Sequence, residues 1–94
     1  MTDLELAGAI ISLLPEDAQE KLNGTFDRFE ASMEQLKPEG PESQTKFCRF
    51  MEVCWLTIYN GRYDYCKLQE GSYSQWRNNA EDKLVQLQRK AAVA

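Results

Sequence analysis

Cys48, Cys54 and Cys66 are the soft nucleophiles of a 94-residue chain that contains no histidine. Without an imidazole, Ser–His and Cys–His nucleophilic systems, histidine general bases and histidine metal ligands are all excluded. Three cysteines could hold zinc with a fourth ligand, but their spacing makes no C-x2-C knuckle. Thiols of this kind are expected to be small buried hydrophobes. Cys66 lies between Arg62 and Lys67, cations that lower a thiol's pKa, which makes it the candidate for a redox sensor.

The carboxylates form pairs at Glu16/Glu20, Glu30/Glu34 and Glu81/Asp82. Pairs four apart share a helix face, yet none has a convergent partner for acid–base work, so solvated surface charge is the expectation. Asp27–Glu30 and Asn60–Asp64 loosely match calcium-loop composition but lack the alternating oxygen ligands and the closing Glu. The glycines, at 8, 24, 40, 61 and 71, build no phosphate loop. No cofactor or metal is expected, and an enzyme is not.

Eight of the ten aromatic residues fall between Phe47 and Trp76, interleaved with Arg49, Arg62 and Arg77. Aromatics and Arg dominate protein–protein hot spots. Phe47, Phe50 and Trp76 lie on apolar stripes and read as core. Trp55 only borders its stripe. Tyr59, Arg62, Tyr63, Tyr65, Tyr73 and Arg77 combine broad apolar bodies with polar tips, so they can sit exposed and bury area cheaply. Arg49, Trp55, Tyr59, Arg62, Tyr63, Tyr65, Tyr73 and Arg77 are therefore the expected partner-binding set.

The elements that must position these residues are helical. Thr2 and Glu5 have capping-box spacing, starting a first helix near Asp3 that runs to Leu14. It is apolar over most of its width and should be buried, in its own core or against a second chain. Pro15 opens a second helix, with Glu16 and Asp17 at its positive end. Ala18, Leu22, Phe26, Phe29, Met33 and Leu36 make a heptad-like seam along it. Asn23-Gly24 falls off that seam, so a continuous helix is preferred to a break there. Residues 37–42, with two prolines and a glycine, form a loop that precludes a helix.

A third helix should start near Ser43 or Thr45 and carry Phe47, Met51, Cys54 and Ile58. Two readings compete beyond it. Either the helix continues to about Gln69, or Asn60-Gly61 turns the chain into a short strand or irregular arm at 60–68. The continuous or kinked helix is preferred, because a lone strand would have no partner. After Gly71, Ser72 and Gln75 have capping-box spacing for a last helix with a stripe of Tyr73, Trp76, Ala80, Leu84, Leu87 and Ala91. The last residues, 91–94, are expected to fray.

The expectation is one all-α domain over residues 1–94, a small four-helix bundle with the seam and the last stripe packed around the first and third helices. A leader or membrane span is not expected, which with an odd number of cysteines points to the cytoplasm. Apolar width beyond what one small core covers suggests a homodimer.

Net charge is −4 and unevenly placed. Residues 1–42 hold ten acids against three bases, and residues 43–94 hold eight bases against five acids. The functional expectation is a non-catalytic protein-interaction module, an inhibitor, adaptor or assembly factor acting by surface occlusion. Its partner is an unidentified protein, and an anti-defence inhibitor of a phage or mobile element is one setting for it. Nucleic-acid binding by the basic, aromatic C-terminal half is the alternative, with Lys46, Arg49, Arg62, Lys67 and Arg77 as its cations. The net charge opposes it, since phosphate contacts dominate such affinity. A thiol redox sensor is the second alternative.

Overall fold

The computed structural model describes residues 1–38, 40–59 and 72–93. Among them are four helices and no strand: α1 (Asp3–Leu13), α2 (Glu16–Glu34), α3 (Pro41–Ile58) and α4 (Tyr73–Val93). The helix-or-turn question at 60–68 lies outside the described residues. α1 and α3 form the middle of the bundle, and each packs on both α2 and α4.

The capping box at α1 forms as its spacing predicts. Thr2 Oγ1 accepts from the Glu5 amide at 3.1 Å, and the Thr2 amide donates to Glu5 Oε1 at 3.0 Å. These bonds satisfy two of the amides that a helix start leaves without partners. They also hold the Glu5 carboxyl below its usual range, with the Thr2 backbone amide the main cause. Leu6, Ala7 and Ile10 are fully buried, with Ile11 and Leu14 close behind. The broad apolar face of α1 is thus consumed inside the chain, by α4 on one side and by α2 and α3 on the others. The large exposed hydrophobics among the described residues are scattered: Met1, Val53, Tyr59, Val85 and Val93. Among the described residues, the apolar width of α1 that suggested a homodimer is buried within the chain.

α2 runs unbroken through Asn23-Gly24, and a Cβ at Gly24 would meet nothing within 4 Å. Its seam packs onto α3 through three phenylalanines. Phe29 and Phe50 stack face to face, with centroids 4.5 Å apart and planes at 10°. Phe26 tilts against both, at 6.3 and 5.8 Å. The Phe26 ring also lies over Gly8 of α1, where an added Cβ would sit 3.4 Å from it.

Besides α1 ending at Leu13, one residue short of Leu14, and α3 ending at Ile58, three boundaries differ from expectation. α2 stops at Glu34 rather than Leu36, its end tightened by a Leu36 amide bond to the Met33 carbonyl at 3.2 Å. α3 begins at Pro41, inside the expected loop, with Gly40 as its N-cap. Proline fits there because a first-turn residue has no intrahelical use for an N–H, and its fixed φ already suits a helix. The buried Ser43 hydroxyl locks the junction by donating to the Lys37 carbonyl at 2.7 Å. The third difference is at the C-terminal end. α4 starts behind Ser72, whose Oγ accepts from the Gln75 amide at 3.3 Å, and it stays helical to Val93. Residues 91–93 are exposed but include alanines, the strongest helix formers.

Candidate binding surface

The expected partner-binding residues that are described do not form one patch. Arg62, Tyr63 and Tyr65 lie outside the described residues, as does Cys66. The other five separate into four environments.

Trp55 belongs to the core, with 3% of its surface exposed. α3 is covered by neighbours over most of its circumference, and the position that seemed to border its stripe falls on the covered side. Its assignment to a binding surface is therefore corrected.

Tyr73 and Arg77 serve an internal clamp. The Tyr73 hydroxyl lies 2.7 and 2.8 Å from the two oxygens of Asp3, and Arg77 Nη1 pairs with Asp3 Oδ1. Arg77 also donates to the Met1 carbonyl and, through Nε, to Glu81 Oε1 at 2.9 Å. The Asp3 side chain is 5% exposed and that of Arg77 19%. Burial, then the hydrogen bond to the Asp3 carboxylate, pushes the Tyr73 hydroxyl up to about 12. Burial acts to lower the Arg77 guanidinium, but the Glu81 and Asp3 carboxylates outweigh it and raise it. The clamp ties the start of α1 to the start of α4. An aromatic edge contact between Tyr73 and Phe47, at 5.9 Å, seats it on α3.

Tyr59 is 38% exposed at the end of α3. Lys83 of α4 lies over its ring, 5.3 Å from the centroid, with Nζ within 3.5 Å of its hydroxyl. The pair joins the end of α3 to the middle of α4.

Arg49 is solvent-exposed on the outer face of α3, between two open grooves. One groove, about 480 Å³, lies between α3 and the start of α4 and is lined by Cys48, Glu52, Tyr73 and Trp76 among others. The other, about 340 Å³, lies between α2 and α3. Phe29, Phe50 and Val53 form its apolar floor, and Arg28, Lys46 and Arg49 its rim. Sequence reading missed Arg28 and the groove itself. The available signal was the polar row Thr25, Arg28 and Ser32, which follows the α2 seam at helical spacing.

Burial disfavours the thiolate form of both described cysteines. Burial pushes Cys54 from a usual value near 9 up to about 12. It also raises Cys48, with the Asp3 carboxylate adding to the effect. Both are held away from the thiolate form that attacks disulfides or binds metal. Among the described residues no three His, Cys, Asp or Glu side chains converge as a metal site. No described helix is long and apolar enough to cross a membrane.

No protein-family model, curated protein sequence or solved structure matches the chain.

Proposed function

We propose that the protein is a non-catalytic interaction module that occludes part of a protein partner, and that the outer face of α3 around Arg49 makes the contact. One observation carries this reading. Arg49 is an exposed guanidinium standing between two open grooves, both with apolar or aromatic lining. Arg beside apolar pockets is the composition of interface hot spots. Inhibitor, adaptor and assembly factor are all roles such a face can fill. The clamp and the Lys83–Tyr59 staple brace α4 against α1 and α3, and a surface braced before binding has less entropy to lose.

Affinity capture from a host lysate with quantitative mass spectrometry tests the reading. Arg49→Glu, an exposed substitution, should leave helicity and thermal midpoint unchanged and remove the captured partner. Equal capture by the wild type and by Arg49→Glu would refute the assignment of this face.

A further inference from the structure

We infer that the α2–α3 groove is a docking site for an acidic segment of a partner protein that carries one or two large apolar anchor side chains. This deepens the reading of the α3 face and rests on it.

The first ground is charge. Arg28, Lys46 and Arg49 are all exposed around the groove, and no Asp or Glu is among its lining residues. This is a concentrated cationic rim on a chain of net charge −4. An acidic segment is drawn to this groove and repelled by the acid-rich surface elsewhere, which steers encounter and fixes register.

The second ground is shape. A space of about 340 Å³ is at the small end of what binding pockets offer, enough for one or two large side chains. Its floor is carbon: the stacked Phe29–Phe50 pair and Val53, which is 39% exposed. An apolar anchor covers that floor while carboxylates beside it meet the rim. Thr25 to Ser32, the α2 side of the groove, spans about 10 Å, or two helical turns. The segment is therefore short.

Two other occupants fit less well. Nucleic acid would stack its bases on free aromatic faces. Here Phe29 and Phe50 spend a face on each other, and Phe26 packs on both. A second copy's most acid-rich helix, α2, carries no large exposed hydrophobic to act as anchor, and dimerisation is one outcome of the test below.

The probe is a displayed library of random peptides, selected on the intact wild-type chain and counter-selected on an Arg28→Glu/Lys46→Glu double variant. The enriched pool should be acidic and carry an aromatic or large aliphatic residue. A consensus peptide, synthesised with a fluorophore, should bind the wild type and lose about tenfold or more in affinity for each single charge reversal. Replacing its apolar anchor by Ser should cost a similar factor. Circular dichroism and thermal melts on each variant separate lost binding from lost fold. A pool without acidic bias, or a consensus that binds the double variant equally well, would overturn the proposal. So would tighter binding of a single-stranded oligonucleotide, or dimerisation in sedimentation that Lys46→Glu abolishes. Failure here together with lysate capture that still depends on Arg49 would remove the groove but keep the α3 face. Capture that ignores Arg49 would remove the face itself.

Discussion

Asp3→Asn and Tyr73→Phe, singly and together, probe the clamp that fastens α1 to α4. Asp3 is almost wholly buried and meets both the Tyr73 hydroxyl and the Arg77 guanidinium. Hydrogen bonds to charged groups contribute roughly 1.5–3 kcal/mol each. Arg77 is partly exposed and keeps Glu81 and the Met1 carbonyl as partners, so its share is smaller. Asp3→Asn should therefore cost about 2 kcal/mol, and Tyr73→Phe about 1.5 kcal/mol. For a domain of this size, 2 kcal/mol corresponds to a drop of roughly 8–16 °C in Tm. Asp3 also sits in the first turn of α1, where its interaction with the helix dipole contributes about 0.5 kcal/mol. That contribution is untouched by Tyr73→Phe and cancels in a double-mutant cycle. Urea denaturation followed by circular dichroism should then give a coupling of about 1–1.5 kcal/mol. Additivity within ~0.3–0.5 kcal/mol would show that the two side chains do not share a stabilising contact.

Two further stability predictions follow from single positions. Gly24 lies within α2 with open space around its Cβ position, so Gly24→Ala should raise stability by roughly 1 kcal/mol in the same urea assay. A neutral or destabilising result would mean that α2 is interrupted there in solution. Tyr73 and Cys54 are both held neutral by the fold, each raised to about 12. A group raised by folding stabilises fully below its unfolded pKa and loses that contribution as pH climbs through the folded value. Cys54 should therefore weaken the fold from about pH 9 upward, and Tyr73 from about pH 10, both progressively to about pH 12. Urea midpoints measured across that range should fall, and Tyr73→Phe should flatten the part above pH 10. A wild-type midpoint constant from pH 9 to 12 would contradict the burial of both groups.

Much of the fold was legible because its signals are local. Thr2 with Glu5, Ser72 with Gln75, and the seam from Leu22 to Met33 each act within a turn or a few turns of one helix. Pro41 was misread for the same reason in reverse. Proline near glycine is a loop signal on average, and only the position of Gly40 as N-cap turns it into a helix start. The binding surface was far less legible. Tyr73 and Arg77 looked like exposed interface residues until Asp3, seventy or more positions away, engaged them both. Trp55 depends on which side of α3 the neighbours cover, which no spacing within α3 encodes. The α2–α3 groove joins Arg28 to Lys46 and Arg49 across a helix hairpin, so its cationic rim is a property of packing and not of any stretch of chain. Along the sequence those three cations are diluted by Asp27, Glu30, Glu42 and Glu52.

Lysine footprinting tests partner occlusion at the α3 face most directly. Lys46 lies on that face, whereas Lys21 lies on α2 away from the groove lining and Lys90 near the end of α4. Amine acylation of the free chain and of the captured complex, read by mass spectrometry, should show Lys46 strongly protected on capture while Lys21 and Lys90 react as before. Lys46 reacting equally fast in both, or protection falling on Lys90 instead, would contradict a partner seated on α3.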